Sequence, residues 1–137
     1  MRRIENEQKM DPCLHIPDPW LNRYATYAYK DYMFKVFIPT QYPFHPPKLI
    51  CGKTDHIGYF SKKRMFFNSI IDTYFPTFPC MCCCSKSHSW YPSIPIREIV
   101  VEYIDYQMTM RKVINTYLLQ SWLEIPDIWR HIVTFIN

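Results

Sequence analysis

The sequence predicts an α+β fold, with a short N-terminal helix, an antiparallel strand meander and C-terminal helices packed on the sheet. Three observations carry this. Tyr32, Phe34, Val36 and Ile38 alternate with Met33, Lys35 and Phe37, the period of a strand. Ile96, Ile99, Val100, Tyr103 and Ile104 recur at i, i+3, i+4, i+7 and i+8, the apolar stripe of a helix. The chain of 137 residues is 48% hydrophobic and 18% aromatic, enough apolar material for one core. No repeat, linker or second composition zone interrupts it, so residues 1–137 are expected to form a single domain.

Residues 2–10 can form a short polar helix. Its apolar residues, Ile4 and Met10, are few, which predicts a surface position. Pro12, Pro17 and Pro19 exclude helix from the next stretch. Residues 24–29 read as the hairpin partner of the alternating strand, which Pro39 ends. Tyr42-Pro43-Phe44-His45-Pro46-Pro47 is rigid and extended, with few backbone donors. Leu49-Ile50-Cys51 is a short strand. Within 52–79, Phe67, Ile70, Ile71, Tyr74 and Phe75 share helical spacing, and Pro76 closes that short helix. Ser93 can cap the long helix, and Pro95 suits its first turn. Met110, Val113, Ile114, Tyr117, Leu118 and Trp122 continue its stripe, and periodicity leaves open whether one helix or two result. Pro126 opens a last helix with Ile128, Trp129, Ile132, Val133 and Ile136 on its apolar side. Residues 125–136 resemble the opening helix of an F-box. Docking on the domain and presentation to a partner's groove are both consistent with that amphipathic pattern.

Sixteen Lys and Arg against twelve Asp and Glu give a net charge of +4. The short run Lys62-Lys63-Arg64 reads as a solvated loop. No basic stripe marks a nucleic-acid partner. The charged start of the chain is not a secretory signal, and no apolar run reaches membrane-spanning length. A cytoplasmic, reducing location without membrane association is expected. Six cysteines occur, four of them crowded into Cys80-Met81-Cys82-Cys83-Cys84. Crowding excludes a disulfide framework and leaves metal ligands, a reactive thiol or small buried hydrophobes. Cys80 and Cys82, with Cys83 or Cys84 and His88, offer enough donors for zinc, and Cys51 and His56 could join from elsewhere. The paired spacing of common zinc sites is absent, so no metal or other cofactor is expected. His56 and His88 read as surface or internally satisfied histidines, and Trp90 as a packing anchor.

Two segments carry a family resemblance. Residues 34–48 run from a strand into Tyr42-Pro43-Phe44-His45-Pro46-Pro47-Lys48. Residues 90–100 begin Trp90-Tyr91-Pro92-Ser93 and lead into the long helix. Together they resemble the ubiquitin-conjugating enzymes, of which the chain looks like a degenerate member. The resemblance implies the fold of that family over 1–137. It implies a nucleophilic Cys82, eight residues before Trp90, which takes ubiquitin or a ubiquitin-like modifier as a thioester from an activating enzyme. Ligase contact is implied for Phe44, for Tyr91, Pro92 and Ser93, and for Arg2 and Arg3 on the first helix. The family's His-Pro-Asn survives only as His56, followed by Ile57 and Gly58, and Asn68 is the nearest asparagine that could replace its oxyanion donor. Residues 57–79 look like an insertion relative to the family, its early sheet looks shortened, and its acidic or serine gate has no counterpart. Two functions follow: a conjugating transferase, or a catalytically inactive interaction or structural module of the same fold with protein assembly partners. The bias toward Ile, Tyr, Phe, Lys and Asn points to an AT-rich genome, of which large DNA viruses are one source. In that case the location is host cytoplasm or virion.

Overall fold

A computed structural model describes residues 2–18, 20, 22–79, 85–122 and 134. The predicted α+β architecture is present. Helix α1 (Arg2–Met10) precedes five strands: β1 (Leu14–His15), β2 (Tyr24–Tyr29), β3 (Tyr32–Phe37), β4 (Lys48–Cys51) and β5 (Thr54–Asp55). Helices α2 (His56–Phe66), α3 (Asn68–Tyr74) and α4 (Ile96–Trp122) follow. The strands form one antiparallel meander in chain order.

The β2–β3 hairpin is the longest ladder. Tyr24 faces Phe37 and Tyr29 faces Tyr32, leaving Lys30 and Asp31 as a two-residue turn. Lys30 takes a positive φ of 53° there, as tight hairpin turns require. Ala25, Tyr27, Phe34, Val36 and Leu49 turn one face of the sheet inward. Arg23 fastens the open end of the hairpin. Its Nε donates to the Ile38 carbonyl at 2.7 Å and its Nη2 to that of Pro39 at 2.9 Å, while the guanidinium stacks 4.6 Å from the Trp20 ring.

The edge strands β1 and β5 have two residues each, too short to leave a period in the sequence. Tertiary bonds hold β1. Asp11 accepts the Cys13 amide at 3.1 Å and also the Tyr27 hydroxyl, and the Ala28 amide bonds the Cys13 carbonyl at 2.9 Å. The β4–β5 turn uses Gly52 at φ 67°.

Helix α1 departs from the expected surface position. Ile4 enters the core and Glu7 is buried, so a single apolar anchor and one carboxylate seat the helix. Lys62, Lys63 and Arg64 also depart from their expected loop and lie on α2. Asp55 starts that helix by accepting the Gly58 amide at 2.9 Å, a regular N-cap. The cations occupy its outer side, where Lys63 covers the Tyr59 ring at 4.4 Å and Arg64 bridges to Asn68 and Asp72 on α3. The helix predicted from Phe67 to Phe75 is α3.

Helix α4 runs unbroken for 27 residues, which settles the choice between one helix and two. Ile96, Ile99 and Val100 pack against the sheet and Ile4. Tyr106, Met110 and Val113 pack against Phe60, Ile70, Ile71 and Phe75 from α2, α3 and the residue after them. Tyr103 joins the two clusters, its ring 5.2 Å from Phe34 and 5.3 Å from Phe60. The predicted stripe ends early, since Tyr117 and Leu118 are exposed. Among the described residues, no helix is long and apolar enough to cross a membrane.

Burial, followed by the neighbouring Cys51 thiol, pushes the Tyr103 phenol up to about 12. Tyr27 and Tyr42 also lie well above the ordinary phenol value near 10, each chiefly through burial and then through a carboxylate partner, Asp11 and Glu7 respectively. Unfolding returns these phenols to their ordinary value, so above pH 10 the unfolded chain holds fewer protons than the native one. Their contribution is full below pH 10 and is lost as pH rises above it, that of Tyr103 by about pH 12 and those of Tyr27 and Tyr42 at higher pH. Phenolate absorbance should therefore show these tyrosines ionising late and together with alkaline unfolding. Independent titration of all tyrosines near pH 10, with the circular dichroism unchanged, would contradict this.

A candidate partner-facing surface joined by Glu7

The two segments of the family resemblance lie 42 residues apart and meet in space, and Glu7 joins them. Its Oε1 accepts the Tyr42 hydroxyl at 2.6 Å and Arg3 Nε at 3.2 Å, and its Oε2 accepts the Ile96 amide at 3.3 Å. The carboxylate thus ties α1, the proline-rich turn and the first residue of α4 together. It does the capping expected of Ser93, which stands exposed. A carboxylate at a helix N-terminus gains from both the free amide and the helix dipole.

A second bond closes the junction. Trp90 Nε1 donates to the Pro43 carbonyl at 2.7 Å, and the Trp90 and Tyr42 rings lie 6.1 Å apart. The Tyr42–Pro43 peptide is cis. The turn is tightened by the Tyr42 amide on the Pro39 carbonyl at 3.0 Å and the Phe44 amide on that of Gln41 at 2.7 Å. Trp90 therefore serves as the expected packing anchor.

Each anchored residue is followed directly by an exposed one. Phe44 succeeds Pro43 and is 75% exposed, and Tyr91 succeeds Trp90 and is 59% exposed. Pro92 and Ser93 are exposed as well. Arg2 is exposed on α1, whereas Arg3 is half-buried and committed to Glu7. A rigid, partly apolar surface of this kind suits recognition of another protein, because its aromatics are already held in place.

His56 departs from the expected surface or satisfied position. It is 1% exposed, and neither ring nitrogen has a hydrogen-bond partner among the described residues. Its Nε2 lies 3.8 Å from Glu102 Oε1, inside ion-pair range and beyond hydrogen-bond length. The other oxygen of Glu102 accepts the Lys86 amide at 2.7 Å. Lys86 Nζ lies 3.6 Å from Glu98. His88 is exposed, and its amide bonds Ser85 Oγ at 3.2 Å. Asn68, the candidate oxyanion donor, is exposed on α3 with its Oδ1 taken by Arg64 at 3.0 Å.

Cys82 lies outside the described residues, with Cys80, Cys83 and Cys84, as does the last helix predicted from Pro126. Cys13 and Cys51 are free and half-buried, and burial pushes the Cys51 thiol up. Among the described residues, no group of three or more His, Cys, Asp or Glu could hold a metal ion. Cys51 and His56 thus meet no third described donor.

Glu7 and Glu102 carry no local sequence signal. Glu7 sits among polar residues of α1 and Glu102 between Val101 and Tyr103 of α4, and their decisive partners are distant in sequence, 35 and 89 residues away for Glu7 and 16 away for Glu102. No family model, curated protein or solved structure matches this chain.

Proposed function

We propose that the chain is a ubiquitin-conjugating-enzyme-like protein. It carries ubiquitin or a ubiquitin-like modifier on Cys82 and meets a ligase-class partner through Phe44 and Tyr91-Pro92-Ser93. The observation that supports this best is the Glu7 junction, because it unites the two resembling segments and leaves their next residues outward. In the proposed reaction the Cys82 thiolate attacks the modifier's thioester on an activating enzyme, whose own thiolate leaves. A lysine amine then attacks the Cys82 thioester. An isopeptide forms, the amine loses a proton, and the Cys82 thiolate departs. A thiolate suits both steps as nucleophile and leaving group. The expected location is cytoplasmic, including host cytoplasm or virion for a viral chain.

A specific observation favours a second reading, a non-catalytic interaction module. His56, the remnant of the family motif, is withdrawn into the interior at 1% exposure and is followed by neither the proline nor the asparagine of that motif, while Asn68 keeps its Nδ2 to donate but has its orientation set by Arg64 on Oδ1. Losing one such donor costs about 10²–10³ in rate. One incubation separates the readings. With activating enzyme, ATP and a panel of modifiers, the transferase forms an adduct that reducing agent removes and that Cys82→Ala abolishes. Absence of adduct across the panel rejects the transferase. An adduct that persists in Cys82→Ala rejects this nucleophile.

A further inference from the structure

An antiparallel sheet that packs one face on a core commonly turns a polar face to water. Here the alternation that buries Ala25, Tyr27, Phe34, Val36 and Leu49 sends Tyr24, Met33, Lys35, Phe37, Lys48 and Ile50 to the other side. That outer face is aromatic and cationic at once. Register places Tyr24, Phe37 and Lys48 in one row across β2, β3 and β4, on strands about 4.8 Å apart. The Tyr24 and Phe37 rings lie 5.5 Å apart at 60°. Lys35 Nζ stands 4.2 Å from the centre of the Tyr24 ring.

At the end of the row, Lys48 meets Lys53 from the β4–β5 turn. With Tyr24, Ile50 and Asp55 among their neighbours, they line a cavity of about 430 Å³. Lys35, Lys48 and Lys53 are exposed, and none forms an ion pair among the described residues. The carboxylate of the same cavity, Asp55, is committed to the Gly58 amide at 2.9 Å. The three lysines are separated in the sequence, so no basic run announces them. Two strands and a turn bring them together.

We propose that this outer sheet face binds single-stranded nucleic acid, with a base stacked on Phe37 and Tyr24 and phosphates held by Lys35, Lys48 and Lys53. Aromatic rings beside a cationic track are what an unpaired strand needs, and stacking tolerates any base, so sequence-independent binding is expected. A base arriving on Tyr24 displaces the Lys35 ammonium from the ring, and the flexible lysine stem carries it to a phosphate. An acidic peptide matches the charge and little else. Extended peptides take much of their affinity from main-chain bonds along an open sheet edge, and both edges here, β1 and β5, are two residues long. A duplex offers phosphates alone, because its bases are already stacked. None of these residues belongs to the Glu7 junction, and the face requires no thioester on Cys82.

The test is fluorescence anisotropy of the full chain with labelled oligothymidylate of about twelve nucleotides, at several salt concentrations between about 50 and 200 mM. The logarithm of affinity should fall with the logarithm of salt with a slope of about −2, the release expected from three phosphate contacts. Lys48→Ala and Lys53→Ala should each make that slope shallower by about 0.7. Phe37→Leu, which keeps apolar bulk and removes the ring, should weaken binding about tenfold with the slope unchanged. Arg111→Ala, an exposed cation on α4, should leave both unchanged. Melting temperature checks each variant, and Tyr24→Leu replaces Phe37→Leu if the latter does not fold. Absence of binding at the lowest salt overturns the proposal. So does wild-type affinity in the leucine variant, which would leave charge alone at work. Equal affinity for a duplex of the same length overturns it as well. Displacement of the oligonucleotide by polyglutamate at equal charge concentration would reassign the face to an acidic polypeptide.

Discussion

Glu7→Ala should lower the unfolding free energy by about 3 kcal/mol, because it strips a carboxylate acceptor from two donors with little access to water. Tyr42 and the Ile96 amide both lose their partner, and Arg3, which is half-exposed, turns to solvent. The midpoint of thermal unfolding should fall by about 10 °C for a domain of this size. Urea titration of the variant measures the loss directly. Glu7→Gln keeps one oxygen for Tyr42 or Ile96 and should lose less. A double-mutant cycle with Tyr42→Phe should give a coupling of about 1–2 kcal/mol, since the two side chains touch. Additive effects would show that Tyr42 gains nothing from Glu7. The consequence reaches the surface: with Glu7 gone, Trp90 and packing are what still hold the turn carrying Phe44 to the start of α4 among the described residues.

What could be read from the sequence follows from how local the determining physics is. The β2–β3 hairpin declares itself because Phe34, Val36 and their alternating neighbours repeat over more residues than chance allows. The first half of α4 does so for the same reason. Strands β1 and β5 are invisible because two residues make no period, and their existence rests on Asp11, Tyr27 and a glycine turn. Lys62, Lys63 and Arg64 suggest a loop only if charge is taken for disorder. On a helix with one buried edge, at Phe60, three successive cations are simply its wet side. The partner-facing residues are legible through the likeness of two short segments, and Trp90 through its bulk. The carboxylate that joins those segments is not, because nothing near Glu7 distinguishes it from Glu5 until distant chain arrives. The same holds for His56, whose burial depends on α4 packing over the first turn of α2.

Phe60→Ala should be the most damaging single truncation among the described residues outside the sheet, at about 3–5 kcal/mol. Phe60 is fully buried where α2 meets α4, with the rings of Tyr59, Tyr103 and Tyr106 at 5.2, 5.3 and 5.7 Å. Removing its ring leaves a cavity that three aromatic neighbours cannot close without shifting. The effect also tests what residues 56–75 are. As a loosely attached insertion they would melt separately, giving two transitions and an undisturbed hairpin. Tyr103 argues otherwise, since its ring touches both Phe60 and Phe34 and so couples the helical cluster to the sheet. A single, earlier transition is therefore expected by both near-ultraviolet dichroism and far-ultraviolet dichroism. Phe44→Ala, an exposed aromatic of the same size, should stay within about 0.5 kcal/mol of the wild type and serves as the control. Deleting 57–79 altogether should abolish folding rather than restore a smaller domain, because Tyr106, Met110 and Val113 would then face water along the middle of α4.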